Sequence, residues 1–185
     1  DGAEFRYSGG LESQFGIQFQ DASIHGGVFF QNATITGDIT FDCALIDKRC
    51  VFDYATITAH KKRALDFTRA RLVCDPDFSG ATIIGPIAFT RAKIDGKLNL
   101  ASAKITANFP NREGQYPRAL ILREAEVKGR LILPTKKVEG ITDLSRASIE
   151  TLEDHSSGWP DALANGEKTC ATRLGLPDAD GAMRD

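Results

Sequence analysis

One spacing dominates the sequence, because an alanine followed two residues later by an aliphatic residue returns every eleven positions. The copies keep to multiples of eleven, apart from one interval that carries four extra residues. Self-similarity at a short, fixed period is typical of solenoids, in which each repeat stacks on the next. The copies are Ala22/Ile24, Ala33/Ile35, Ala44/Ile46, Ala55/Ile57, Ala70/Leu72, Ala81/Ile83, Ala92/Ile94, Ala103/Ile105, Ala125/Val127 and Ala147/Ile149.

A second apolar pair follows many of these alanines by six and eight residues, as in Ile39/Phe41. Residues two apart face the same way in an extended chain, so each pair predicts a short strand with both side chains inward. Successive pairs are alternately six and five residues apart, and four of them close a coil of 22 residues. Glycine recurs between the pairs, and we expect it at alternate corners because it adopts backbone angles that side chains disfavour.

A coil of this length fixes which inward side chains lie above one another. The predicted stacked pairs are Phe19 with Phe41, Phe30 with Phe52, Ile24 with Ile46, and Ile35 with Ile57. The predicted fold class is therefore all-β, a four-sided β-helix (β-solenoid) with about 22 residues per coil and five to six coils. Residues 17–149 form this β-helix, while residues 1–16 are expected to be an N-terminal cap. Residues 150–185 are expected to be a C-terminal cap with a disordered tail.

Two segments interrupt the repeat. Residues 59–63 (AHKKR) hold the four extra residues and are expected to form a loop at one corner. Residues 106–118 (TANFPNREGQYPR) keep the numerical spacing but replace the apolar pattern with prolines and charged residues. One half-coil is therefore predicted to be a loop there.

Three stretches share the pattern G-x-L-x-L-x-x-A-x-I most closely, namely GPIAFTRAKI (85–94), GKLNLASAKI (96–105) and GRLILPTKKV (129–138). The alternating inward pairs resemble the pentapeptide-repeat proteins. The pattern is more similar to a group of bacterial proteins, common in actinobacteria, some of which carry the label membrane-associated oxidoreductase. The segment DLSRASIETLEDHSSGWP (143–160) strengthens this match, which covers about residues 17–160.

The resemblance implies a right-handed coil. It does not carry over the oxidoreductase activity, because the chain has no dinucleotide-binding fingerprint after a strand. The sequence also contains no apolar run of the length that a transmembrane helix needs.

Charge and composition disfavour several classes of function. A net charge of -2 gives no general attraction to nucleic acid, and the sequence carries no clear nucleic-acid-binding signature. The four cysteines form no CxxC pair, and the three histidines are scattered, so we predict no metal site, no cofactor and no catalytic residue. Scattered thiols favour a cytoplasmic location, with peripheral attachment to a membrane as the alternative.

Outward positions are where a solenoid contacts other molecules. Stacking at 22 residues brings Arg69 beside Arg91 and Arg71 beside Lys93, with Lys97 nearby. We call these five residues the basic patch. Clustered cations raise the local potential, so the basic patch is a candidate contact for a protein partner or an anionic surface.

A mixed, solvated surface is the competing interpretation of the same face. It follows if Glu113, Asp75, Asp77 and Asp95 lie close enough to neutralise the basic patch. The predicted function is a non-catalytic structural or protein-interaction module that displays one rigid face to a macromolecular partner. The solenoid ends are a further candidate contact, through which copies would form a homo-oligomer.

The sequence is also compatible with two other functions. Asp75, Asp77 and Asp95, with Arg71, are the nearest approach to the paired carboxylates of a carbohydrate-cleaving β-helix enzyme. An ice-binding solenoid is the other alternative, because threonines stack on one face. That array is expected to end after two coils, and its members are Thr34 with Thr56 and Thr36 with Thr58, followed by Thr82 and Ile84.

Overall fold

The computed structural model describes residues 5–6, 10–12, 16–60, 63–107, 117–134 and 138–153. These residues form short strands that pair in parallel with strands of the coils before and after them. The strands are β1 Phe5–Arg6, β2 Gly10–Glu12, β3 Ile17–Gln18, β4 Ser23–Ile24, β5 Gly27–Phe29, β6 Thr34–Thr36, β7 Ile39–Thr40, β8 Leu45–Ile46, β9 Arg49–Val51, β10 Thr56–Thr58, β11 Leu65–Asp66, β12 Arg71–Leu72, β13 Pro76–Asp77, β14 Thr82–Ile84, β15 Ile87–Ala88, β16 Lys93–Ile94, β17 Leu98–Asn99, β18 Lys104–Thr106, β19 Arg118–Ile121, β20 Glu126–Ile132, β21 Ile141–Asp143 and β22 Ser148–Glu153.

The strands lie on four faces, which the chain visits in turn. Face 1 contains β4, β8, β12, β16 and the first halves of β20 and β22, and face 2 contains β1, β5, β9, β13, β17 and the second halves of β20 and β22. Face 3 contains β2, β6, β10, β14 and β18, and face 4 contains β3, β7, β11, β15, β19 and β21. Faces 1 and 2 count as one sheet because β20 and β22 continue around their common corner.

The fold is thus an all-β solenoid of about six turns with about 22 residues per coil, as the repeat predicted. Ile24 pairs with Ile46 on face 1, and Ile35 pairs with Ile57 on face 3. These pairs confirm the predicted stacking. The right-handed sense of the coil stays a prediction from the resemblance.

Two columns of phenylalanine rings occupy the centre of the coil. Rings in the same column stack with centroids 4.8 to 5.0 Å apart, and rings in different columns meet edge to face at 6.0 to 6.2 Å. One column is Phe19, Phe41, Phe67 and Phe89, and the other is Phe30, Phe52 and Phe78. Both predicted phenylalanine pairs are therefore confirmed, and the ring spacing equals the distance between strands of neighbouring coils.

Two kinds of corner turn the chain from face to face. At one kind, the alanine amide donates a hydrogen bond to the carbonyl of the phenylalanine or leucine three residues earlier, as from Ala22 to Phe19 at 3.1 Å. The residue just before the alanine then has a positive φ, and most of these residues are not glycine. They are Asp21, Asn32, Cys43, Tyr54, Arg69, Arg91, Ser102, Glu124 and Arg146.

Glycine marks the other kind of corner, where the sequence predicted it. Gly85 has a φ of 125°, and a Cβ there would collide with the Cβ of Ala59 in the preceding coil. At the corner between faces 1 and 2, Gly129 has no positive φ, and close packing explains its presence there. A Cβ on Gly129 would lie 2.7 Å from the carbonyl oxygen of Gly96.

The two interruptions change which residues pair. Thr56 pairs with Thr82 across the four-residue insertion, of which residues 61–62 lie outside the described part. Strands β19 and β20 pair with residues 33 positions earlier, as Glu126 does with Lys93, whereas β21 and β22 return to a separation of about 22. The pairing of these two strands thus skips eleven residues more than one coil, and residues 108–116, where the sequence predicts a loop, lie outside the described residues.

The two predicted caps lie partly within the described residues. Strands β1 and β2 fall in residues 1–16 and pair with β5 and β6, and β22 extends the solenoid as far as Glu153. The remainder of the predicted C-terminal segment, residues 154–185, lies outside the described residues. Helices long and apolar enough to span a bilayer are absent from the part of the chain that the structure describes.

Phe41 tests the phenylalanine columns, because it is fully buried and touches rings above, below and beside it. We expect Phe41→Ala to lower the free energy of unfolding by about 3 to 5 kcal/mol, because it leaves a cavity in the columns. Denaturant unfolding followed by circular dichroism measures this loss. Tyr54→Ala is the aromatic control, since Tyr54 is 66% exposed, and should cost less than about 1 kcal/mol. Equal losses for the two variants would contradict the stacked core.

Candidate functional site

Four residues of the basic patch lie together where face 1 meets face 4. Arg71 and Lys93 are neighbours in β12 and β16, and their side chains are 63% and 66% exposed. Arg69 and Arg91 occupy positive-φ positions in successive coils at the adjoining corner. The predicted neighbours are therefore neighbours in the fold, because parallel pairing places equivalent residues of successive coils side by side.

Lys97 lies on the opposite edge of face 1. It follows Gly96 at the corner with face 2, where its backbone amide donates a hydrogen bond to Asp75 Oδ1 at 2.7 Å. The width of face 1 thus separates Lys97 from Arg69 and Arg91. The basic patch is a compact group of four cations with Lys97 at a distance.

Each of the four cations has a carboxylate beside it. Arg69 binds Asp42 through two nitrogens, at 2.6 and 3.1 Å, and Arg91 Nε lies 2.8 Å from Glu124. Longer contacts join Arg71 to Asp95 at 3.5 Å and Lys93 to Glu126 at 4.0 Å. The face therefore mixes both charges, and hydrogen bonds to carboxylates hold two of the four cations, Arg69 and Arg91.

These contacts stabilise the ionised carboxylates. The hydrogen bond from Arg69 lowers the pKa of Asp42, and the hydrogen bond from Arg91 lowers the pKa of Glu124. Lys128, which lies 2.8 Å from Asp95, lowers the pKa of that carboxyl group in the same way. All three carboxylates therefore keep their charge well into the acidic range.

Sequence reasoning found only one of these carboxylates. It named Asp95, but it missed Asp42, Glu124 and Glu126, whose partners lie 27 or 33 residues away in the chain. The insertion and the loop create these separations, so no count of 22 residues could reveal them. Glu113 lies outside the described residues.

The other two carboxylates named from the sequence border a groove at the corner between faces 1 and 2. It has a volume of about 620 Å³, and its lining is Lys48, Arg49, Val51, Val73, Cys74, Asp75, Asp77, Asp95 and Gly96. We call it the carboxylate groove. Lys48, Cys74 and Gly96 occupy the same corner position in three successive coils. The two smaller residues, Cys74 and Gly96, leave the space that the groove occupies. The three aspartates of the enzyme alternative therefore border one open cavity.

Each aspartate of the carboxylate groove also supports the local structure. Asp75 accepts the backbone hydrogen bond from Lys97, and Asp95 accepts from Lys128. Asp77 Oδ1 accepts from the backbone of Ser79 and from the side chain of Asn99, both at 2.9 Å. These hydrogen bonds hold one oxygen of Asp75 and of Asp77 at the corner, which fixes the orientation of both carboxylates.

Cys74 on the floor of the carboxylate groove is a poor nucleophile. Burial, together with the charges of Asp75 and Asp47, raises the pKa of its thiol to about 12. Burial also raises the pKa of Cys50, which lies inside the core. Since the thiolate is the reactive form, neither thiol is suited to covalent catalysis.

Threonines on face 3 pair between β6 and β10 as the sequence predicted, and they form two rows. In the next strand, β14, one of these rows ends. The array spans β6, β10, β14 and β18, with pairs Thr34/Thr56, Thr36/Thr58, Thr56/Thr82, Thr58/Ile84, Thr82/Lys104 and Ile84/Thr106. Ile84 interrupts one row and Lys104 ends the other. The hydroxyl array is therefore small.

Within the described ranges, no group of three or more His, Cys, Asp or Glu side chains could hold a metal ion. Among known family models and curated proteins, none was found that matches this chain. The candidate sites are therefore defined by geometry alone.

Asp143 on face 4 provides a test of the charged surface, because its side chain is only 9% exposed. Burial opposes its ionisation, but hydrogen bonds from Ser145 and Arg123 outweigh burial and hold its pKa below the usual value. Its contribution to stability is therefore present above the pKa of an unfolded aspartate, about 3.9, and is lost as the pH falls through the lower folded-state pKa.

We expect Asp143→Asn to unfold more easily than the wild type at neutral pH, with a difference that shrinks as the solution is acidified below about pH 4. Unfolding free energies measured from about pH 7 to about pH 2 would show it. Glu150→Gln, which removes a charge from an exposed residue, is the control. A difference between Asp143→Asn and wild type that stays constant over this range would contradict the role of the Asp143 charge.

Proposed function

We propose that the protein is a non-catalytic structural or interaction module that displays one solenoid face to a macromolecular partner. The observation that carries this proposal is the group of four exposed cations on a rigid sheet, Arg69, Arg71, Arg91 and Lys93. A cytoplasmic location, at a membrane surface or away from it, belongs to the same proposal.

Rigidity of the support favours a binding role. The backbone beneath the four cations is fixed by hydrogen bonds to both neighbouring coils, such as Arg71 to Ala44 and Lys93 to Ala70. Hydrogen bonds to Asp42 and Glu124 restrict the side chains of Arg69 and Arg91 as well. Because little conformational entropy remains to be lost, a partner with matching charges would bind at low cost.

The partner that this face fits has an acidic surface. Guanidinium groups form forked hydrogen bonds with carboxylates, and the free nitrogens of Arg71 and Arg91 remain exposed beside their own carboxylates. Glu124 and Glu126 in the following coil would also select for register, because a shift of the partner by one coil would bring its acidic groups against them. Such a contact is electrostatic and should weaken with added salt.

A charge-reversal experiment tests the proposed function. We expect a variant with Arg69, Arg71, Arg91 and Lys93 all changed to glutamate to lose partners captured from lysate that the wild type retains. The matched control changes four cations outside the basic patch, Lys48, Arg49, Lys104 and Arg130, to glutamate. Circular dichroism checks that both variants fold. Equal capture by the two variants, with the same salt dependence, would refute the assignment.

We also propose that the chain is related to the pentapeptide-repeat-like β-helix proteins, and more closely to the group with the G-x-L-x-L-x-x-A-x-I pattern. The support is the regular alternation of small and large inward residues, alanine at the corners and phenylalanine in the columns. A right-handed coil is part of this proposal.

A carbohydrate-active enzyme is the second candidate, favoured by the carboxylate groove. Asp75 and Asp77 each have one oxygen without a hydrogen-bond partner in the described chain, so both can accept a proton or a hydroxyl hydrogen bond. If this candidate is correct, we expect the protein to cleave at least one polysaccharide in a screen. Changing Asp75, Asp77 and Asp95 to asparagine keeps the corner hydrogen-bond acceptors and should abolish cleavage. A screen without any hydrolysed polymer would exclude it.

A further inference from the structure

Three arginines lie at the corner between faces 4 and 1 in the later coils, and a fourth, Arg118, begins β19 at the other edge of face 4. They surround two carboxylates, and none of Arg118, Arg123 and Arg146 was singled out by the sequence. We call the following residues the arginine cluster: Arg91, Arg118, Arg123, Arg146, Glu124 and Asp143.

The contacts inside the arginine cluster form two connected groups. In the first, the oxygens of Glu124 contact Arg91 at 2.8 Å and Arg146 at 4.0 Å. In the second, a single oxygen of Asp143 lies 2.8 Å from Arg123 and 3.3 Å from Arg118. The groups are joined because Arg123 precedes Glu124 in the chain and its charge helps to lower the pKa of Glu124. The two groups are therefore next to each other on the surface, and together they form one candidate site.

Two features leave this site ready for an anion. Four guanidinium groups outnumber two carboxylates, so the arginine cluster carries net positive charge on a protein whose net charge is -2. The Nε atoms of Arg91 and Arg118 contact the carboxylates, whereas their terminal nitrogens have no partner within the described chain. Arg146 is 84% exposed, and its one contact is longer than a hydrogen bond. Most of the donors are therefore unused.

We infer that the arginine cluster binds a phosphate group. A phosphate offers more oxygens and more charge than a carboxylate, and it accepts forked hydrogen bonds from several guanidinium groups together. Glu124 and Asp143 hold the arginines from one side, which orients the free nitrogens before the ligand arrives. The inference rests on the proposed function, since Arg91 belongs to both sites, and it names the chemical group that the partner presents there.

Direct binding measurements test the inference with two probes of the same chemistry. Titration calorimetry with inorganic phosphate reports on a soluble phosphate. Co-sedimentation with phosphatidylcholine vesicles, with and without phosphatidic acid, reports on a lipid headgroup. We expect the wild type to bind at least one probe, and the probe that binds identifies the source of the phosphate. Failure to bind either would overturn the inference.

The variant Arg118→Gln with Arg146→Gln tests the site itself. It leaves the contacts of Arg123 with Asp143 and of Arg91 with Glu124 in place, so the fold should survive. We expect phosphate binding about tenfold weaker or worse, because two charge-assisted contacts are lost. The control, Arg49→Gln with Lys104→Gln, removes the same charge elsewhere and should bind as the wild type does. An equal loss in both variants would mean that only net charge matters and would overturn the inference.

A third variant separates guanidinium geometry from charge. Arg118→Lys with Arg146→Lys keeps the charge but removes the forked donors, so binding should also weaken. The double variant Arg69→Gln with Arg71→Gln tests the proposed function separately from the phosphate site, because it leaves the arginine cluster intact. If that variant captures partners normally while the Arg118 and Arg146 variants lose phosphate, the arginine cluster stands and the proposed function falls.

Discussion

Contact between successive coils is the interaction on which the structure depends. A single coil encloses too narrow an axis to bury its own side chains, and its strands, most of them two or three residues long, have no partners within the coil. Stacking of the coils pairs the strands and buries the side chains, because each strand forms hydrogen bonds with the next coil and each inward side chain packs on the equivalent side chain of that coil. The phenylalanine columns show this most clearly, since ring spacing and strand spacing coincide.

The same contact determines the surface. Parallel pairing sets equivalent outward residues side by side, so Arg71 must lie next to Lys93 even though both are cations. Carboxylates at neighbouring positions offset this repulsion, and the corner residues Arg69 and Arg91 have their own acidic partners. A solenoid cannot move a charge away from its neighbour without breaking the coil. Its surface charges are therefore organised in advance, which is the physical basis for the binding role that we propose for this face.

The carboxylate groove and the arginine cluster differ in what their charged groups already do. In the carboxylate groove, Asp75 and Asp77 accept hydrogen bonds that shape a corner, so their presence has a structural explanation. In the arginine cluster, the guanidinium groups are more numerous than the carboxylates that hold them. The one contact of Arg146 is long and contributes little to the fold. Excess donors that the fold does not use are the stronger sign of an external ligand. For this reason a binding function is preferred to a catalytic one.

The sequence by itself determined the solenoid, the 22-residue coil, the inward residues and neighbours such as Arg71 and Lys93, because these follow from local spacing in an extended chain. It did not reveal that Arg91 meets Glu124, or that Arg123 and Arg118 share Asp143. Nor did it foresee positive φ at residues such as Ser102. Those features were decided by the tertiary structure. A loop can add any number of residues between two strands, and only the packing of the strands selects which coils then meet.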